Sequence, residues 1–164
     1  AEPGARMSAT FDALPVPTLT AAFDVTVHLG EAENHGATSA GLRRVVPIVG
    51  GAVRGEVEAE ILPGGADWQL IRPDGTIEVD ARYSARTTDG ALLLLHASGL
   101  RTGTPDVLER LRRGDEVDPH AYTFRTVVRV ETAAQRLAHL QKALFLASAS
   151  RSVDAVRYRA HRVG

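Results

Sequence analysis

Cysteine is absent from the 164 residues, which excludes disulfides, thiolate chemistry and Cys-based zinc sites and leaves the redox compartment unread. Long apolar runs are missing too: stretches such as Ala91 to Leu95 fall far short of the roughly 20 residues a membrane-spanning helix needs. Neither sign of charge is in excess. Lys plus Arg number 19 against 20 for Asp plus Glu, a formal net charge of -1, so no overall field gathers nucleic acid or an anionic membrane, and neither partner is expected. Lysine is nearly absent, Lys142 being the only one, and that bias reads as a GC-rich genome rather than a phosphate-binding design. The N-terminus lacks the basic region and apolar core of a signal peptide, which makes a cytoplasmic location the expectation. The only methionine is Met7, so residues Ala1 to Arg6 read as a cloning remnant ahead of a native start at Met7.

What is present is ordinary for a globular protein. Apolar residues make up 44% and charged residues 24%, which argues against disorder and collagen-like repeats. The length suits one domain, residues 7–164.

Periodicity points to strands. Pro15 and Pro17 mark residues 7–18 as an extended lead-in with no helix. Phe23, Val25, Val27 and Leu29 then alternate with Asp24, Thr26 and His28, the pattern of a half-buried strand. Glu31 to Gly41 is polar and glycine-containing and reads as a loop, a candidate lid over one barrel end. Arg43 to Val49 is a strand interrupted by Pro47, and Gly50-Gly51 with Gly55 marks a bulge or a close backbone approach. Further strands are predicted over Glu56 to Leu62, Trp68 to Arg72 and Thr76 to Arg86, the last two joined by the turn Pro73-Asp74-Gly75. Thr88-Asp89-Gly90 leads into Ala91 to Ser98, apolar enough to suggest a central strand covered on both faces. Tyr122 to Val130 and Val153 to Val163 complete the strand set, the latter with Arg157, Arg159 and His161 toward water.

Two helices are predicted. Thr104-Pro105 and Gly114 have the chemistry of an N-cap and a C-cap around Pro105 to Arg113. Thr132-Ala-Ala-Gln135 reads as a capping box, with Leu137, Leu140 and Leu144 as the apolar stripe of a helix from Thr132 to Ala147. Short strands joined by Gly and Pro turns, without strand–helix alternation, favour an antiparallel sandwich or closed barrel. Small barrels of about eight strands hold one small ligand inside.

The segment Gly64-Gly65-Ala66-Asp67-Trp68 is the most informative for chemistry. Two glycines allow a close backbone approach, and a carboxylate follows beside the only tryptophan. A carboxyl group against an apolar ring has a raised pKa and serves as an acid or base near neutral pH; the competing reading is that Asp67 caps a turn and Trp68 fills the core. Glu78, Asp80, Arg82, Ser84 and Arg86 share one face of a strand, opposite Ile77, Val79, Ala81, Tyr83 and Ala85. If the polar face points inward, Arg82 is a planar donor for a carboxylate or enolate oxygen; if outward, Asp80 and Arg82 form a surface ion pair. His96, after a row of four leucines, and His28, beside Asp24 on a polar strand face, are further ligand-binding candidates, each set against a merely structural role. His35, His120, His139 and His161 show no metal-ligand spacing, and no nucleotide-binding loop or nucleophile elbow is present, so neither a metal nor a cofactor is expected.

Pro47-Ile48-Val49-Gly50-Gly51, Leu62-Pro63-Gly64-Gly65-Ala66-Asp67-Trp68, Val79-Asp80-Ala81-Arg82-Tyr83, Asp89-Gly90 and Gly99 together resemble, in that order, the bacterial and fungal family known as domain of unknown function 3237. The resemblance runs from about Phe23 to the last strand and implies a calycin-like β-barrel with a helix packed at one side. Residues 31–41 and the Arg-rich segment 107–118 look less standard for the family. The resemblance and the residues lead to two functional expectations. The favoured one is a cofactor-independent cyclase, isomerase or lyase of secondary or aromatic metabolism, acting on a small, largely apolar molecule. In it Asp67 is the acid or base, Arg82 holds an oxyanion, and Trp68, Asp80, Tyr83, His96 and His28 contribute to binding. The alternative is a non-catalytic carrier of such a molecule. Nothing in the sequence decides between a monomer and a homodimer.

Overall fold

The computed structural model describes residues 10–164; the expected cloning remnant and native start at Met7 lie outside them. Ten strands are present: β1 (Leu19–Leu29), β2 (Glu33–Thr38), β3 (Gly41–Gly55), β4 (Ala59–Ile61), β5 (Gly65–Ile71), β6 (Ile77–Thr87), β7 (Leu92–Thr102), β8 (Thr123–Thr132), β9 (Phe145–Arg151) and β10 (Ala155–Val163). All pair antiparallel. β5 to β10 form a meander, and β1 joins β10 on one side and β3 on the other, which closes the sheet. β4 and β5 occupy one position in succession, both lying between β3 and β6, so the wall is an eight-stranded barrel. Among the described residues, closure leaves only the β2 hairpin as an outer edge.

Alternation fills the interior. Phe23, Val25 and Val27 of β1, Val79, Ala81 and Tyr83 of β6, Leu93, Leu95 and Ala97 of β7, and Phe145, Ala147 and Ala149 of β9 are buried, while their neighbours face water. β7 is therefore covered on one face only, against expectation: Leu92, Leu94 and Leu100 stand on the outer surface. Two glycines let strands approach where a side chain could not. A Cβ on Gly51 (φ +139°) would lie 2.0 Å from the Thr26 carbonyl oxygen, and one on Gly65 would lie 2.4 Å from that of Arg82.

Four local expectations are corrected. Residues 31–41 form no free loop or lid, because β2 pairs with β3 from Glu33–Val45 to Thr38–Gly41. The lead-in is not wholly extended: residues 10–12 are helical, and the chain straightens only at the prolines that follow. Pro47 does not interrupt its strand; β3 runs through it, with the irregularity displaced to Val49, opposite the step from His28 to Leu29. The largest correction concerns Thr132 to Ala147, which is a 3-10 segment, Gln135–Lys142, followed by strand β9. Thr132 does not cap it: its hydroxyl donates to the Leu92 carbonyl and accepts from Ala134 N–H. With three residues per turn, Leu137 and Leu140 stack on one side, and both are buried, whereas Leu144 is exposed. That leucine pair plugs one end of the barrel. Among the described residues the longer α-helix is α1 (Pro105–Arg112), where Thr104 accepts from Val107 N–H as expected. Its Leu108 lies against Gly75 in the β5–β6 turn, and Gly114 just beyond it lies against Val153 in the β9–β10 turn, so α1 and its exit span the other end.

Candidate functional site

Between the 3-10 plug and α1 the barrel holds a cavity of about 40 Å³, enough for about three or four waters at roughly 10–15 Å³ each. Its wall is mainly apolar, from Val27, Ile48, Val79, Ala97, Phe124 and Val156, with Asp67, Tyr83, Thr126 and Tyr158 as the polar exceptions.

Asp67 owes its place to a break in the sheet. β5 and β6 pair at Ala66–Arg82 and Asp67–Ala81 and resume only at Leu70–Glu78. In the gap, Asp80 N–H donates to Asp67 Oδ1 at 2.9 Å, so the carboxylate replaces a strand acceptor. Gln69 Nε2 donates to Oδ2 at 2.8 Å. Asp67 is 9% exposed. Burial raises its pKa above the ordinary carboxylate value, opposed by those two hydrogen bonds and, more weakly, by the charges of Arg101 and Arg151. Across the same cavity the hydroxyls of Tyr83 and Tyr158 hydrogen-bond each other. Burial raises both phenol pKa values, and the neighbouring phenol adds to the effect at Tyr83.

Toward the α1 end, alternation brings a further layer of inward side chains: Arg44 on β3, Gln69 on β5, Arg101 on β7 and Arg151 on β9. Arg101 is 3% exposed, and its guanidinium carbon sits 5.6 Å from the centre of the Phe124 ring. Burial, then the charges of Arg151 and Arg44, lower its pKa to about 10. Arg151 is lowered by burial and by Arg44. Three buried polar atoms find no partner among the described residues: Gln69 Oε1, Arg101 Nε and Thr126 Oγ1.

The remaining expected site residues lie elsewhere. The polar face of β6 points outward, so Arg82 is exposed and its Nε stands 3.8 Å from Asp80 Oδ1. Asp80 Oδ1 is also 2.8 Å from His96 Nε2, and the three residues make an outer cluster behind the cavity wall. Trp68 is 40% exposed; next to an inward Asp67 on a strand, its side chain must leave on the opposite face. His28 is exposed on β1. Of the expected residues the cavity thus brings together Asp67 and Tyr83 and leaves out Arg82, Trp68, Asp80, His96 and His28. Sequence reasoning passed over Tyr158, Thr126, Gln69 and the three arginines. For Tyr158 the signal was available in the alternation of β10, which pairs an inward tyrosine with outward Arg157 and Arg159.

Comparison with known proteins agrees with this architecture. A UPF0311 protein of Bradyrhizobium diazoefficiens is 41% identical over 141 residues, covering 86% of this chain and 93% of that one. A crystal structure of a conserved protein of unknown function from Rhodopseudomonas palustris superposes with a TM-score of 0.86 at 38% identity, covering 92% of this chain and 99% of that one. A β-barrel-like protein from Acinetobacter baumannii gives 0.80 at 35% identity, covering 92% and 98%. A structure described as an enzyme from Penicillium herquei shares the fold, with a TM-score of 0.68 at 19% identity over 93% of this chain and 98% of that one. The model of the DUF3237 family, described as proteins of unknown function, matches residues 17–163, and the chain belongs to that family.

Proposed function

We propose that the chain is a cofactor-independent acid–base enzyme, a cyclase, isomerase or lyase, acting on a small organic molecule held inside the barrel. The observation that carries this reading is a buried carboxyl group, Asp67, in the wall of an otherwise mainly apolar cavity, held by two hydrogen bonds and with its pKa raised by burial. A carboxyl poised in this way either protonates a carbon or oxygen of the ligand or, once ionised, removes a proton from it. Gln69 and the Asp80 amide fix its orientation. The Tyr83–Tyr158 pair supplies a hydroxyl that can turn from its partner to an oxygen of the ligand where charge develops.

A carrier of an organic acid has use for inward arginines but none for a buried carboxyl group with a raised pKa beside the ligand, so Asp67 favours catalysis over storage. The test begins with a substrate, found by thermal-shift screening of small organic compounds, starting from those short enough for a cavity of about 40 Å³. Turnover by the wild type and its loss in Asp67→Asn, with ligand binding retained, support the enzyme. Binding without any chemical change in the ligand returns the barrel to the carrier reading.

A further inference from the structure

We propose that Arg44, Arg101 and Arg151 form an anion-binding subsite at the α1 end of the barrel, which holds the carboxylate of a small organic acid while its carbon skeleton lies in the apolar cavity beneath. This goes beyond the acid–base reading and does not require Asp67 to be catalytic.

Strand alternation aims all three side chains inward at one level. Arg44 lies opposite Gln69 on β5, Arg101 opposite Phe124 on β8, and Arg151 two residues beyond Ala149 of the cavity wall. Among the described residues, none of the three guanidiniums donates a hydrogen bond or forms an ion pair. A buried arginine that serves the fold is ordinarily paired, because leaving a buried charge without a partner is strongly destabilising. Arg101 is 3% exposed with Nε unpartnered; a phenyl ring and the like charges of Arg151 and Arg44 face it, with Tyr122 and Asp67 as the weaker opposing influences. Asp67 lies near both Arg101 and Arg151, and Asp154 near Arg151, yet among the described residues neither carboxylate forms an ion pair with a guanidinium, and Asp67 accepts instead from Gln69 and the Asp80 amide. An external anion supplies what the protein leaves out: acceptor oxygens and negative charge at the centre of a planar-donor cluster.

The cavity decides the rest of the ligand. Its lining beneath the arginines is mainly apolar, from Phe124, Val79, Ala97 and Val156, with Asp67, Tyr83, Thr126 and Tyr158 as the polar members, so the anion carries a short hydrocarbon body. A carboxylate suits the narrow space better than a phosphate dianion, being planar, smaller and less costly to strip of water.

The experiment measures thermal stabilisation and calorimetric binding of acetate, propionate, butyrate and isobutyrate, whose short hydrocarbon bodies match a cavity of about 40 Å³, each beside its uncharged amide, with inorganic phosphate as the other arm. At least one carboxylate with a hydrocarbon body binds the wild type at least tenfold more tightly than its amide, and tenfold more weakly to Arg101→Gln and to Arg151→Gln. Arg82→Gln on the outer wall leaves binding unchanged. Should Arg101→Gln fail to fold, Arg151→Gln and Arg44→Gln carry the comparison. Carboxylates no tighter than their amides, binding unaffected by the inward variants, or phosphate bound in preference to every carboxylate overturns the proposal. The acid–base reading is read out by turnover and this one by carboxylate-over-amide affinity in Arg101→Gln and Arg151→Gln, so a failure of either is separable from a failure of the other.

Discussion

Asp67 carries two duties at once, and its pH behaviour separates them. Its carboxyl bridges a gap in the β5–β6 ladder, and burial raises its pKa. The unfolded chain releases this proton near the ordinary value of 3.8, while the folded chain holds it longer. Over the interval between those two values folding takes up a proton, so stability contributed by the protonated group is complete below the unfolded pKa and is lost as pH rises through the folded one. Asp67→Asn is expected to flatten that part of a melting-temperature profile, leaving the variant more stable relative to wild type as pH rises above 3.8. The carboxamide that this change introduces can still accept from the Asp80 amide, and Gln69 can turn its unpartnered Oε1 to receive the new N–H; a variant that is unfolded at every pH would contradict this. In an assay with substrate the same change should cost about 10² to 10⁴ in rate. The tyrosine pair gives a second measurement. Tyr83→Phe strands the Tyr158 hydroxyl inside the barrel at a cost of about 1–3 kcal/mol, and the doubly substituted Phe variant should lose less than the sum of the two single changes. Denaturant unfolding of the four proteins reads the coupling.

At the scale of elements, the sequence was read most accurately where local chemistry acts alone. The Pro73-Asp74-Gly75 turn forms as expected, with Gly75 at φ +88° and Asp74 accepting from Thr76 N–H, and α1 begins at its predicted cap. Gln135 to Lys142 shows the opposite case. Spacings of three and four are both allowed by Leu137, Leu140 and Leu144, and a capping-box pattern tips the choice toward an α-helix. The barrel end accepts only the first two leucines, and β8 and β10 both require the chain to return at once as β9, which leaves room for a short 3-10 plug. Leu140 is fully buried there, so Leu140→Ala should cost about 2–5 kcal/mol, measured by chemical denaturation. Leu144→Ala, at an exposed position of the expected stripe, should change stability by no more than about 0.5 kcal/mol. Equal losses at the two positions would mean that the segment packs as a longer helix.

The whole molecule is held by a seam between its ends in sequence. β1 pairs with β10 from Leu19–Val163 to His28–Ala155, reinforced outside by Asp24–Arg159, and β1 pairs with β3 on its other side. No closed wall exists before the last strand arrives. A chain ending at Ser152 is therefore expected to lose cooperative thermal unfolding and to be cut rapidly by protease, whereas trimming the lead-in before Thr18 should leave the melting temperature nearly unchanged; a cooperative fold without β10 would show that the seam is dispensable. Sequence by itself determined most of the strands, the turns and the antiparallel class, because alternation and turn chemistry are local and repeat along the chain, while the closed barrel came with the family resemblance. It also singled out Asp67, through the glycines that let β5 approach β6. Only the tertiary structure decided which face of β6 looks inward, since a period of two states that the faces differ and not which one is enclosed; closure turned the Val79–Tyr83 face in and put Arg82 outside. The same closure gathered Arg44, Arg101 and Arg151, separated by 57 and 50 residues in the chain, onto one level of the barrel. No local pattern marks them, because what makes them a group is the register of β3, β7 and β9 around the wall.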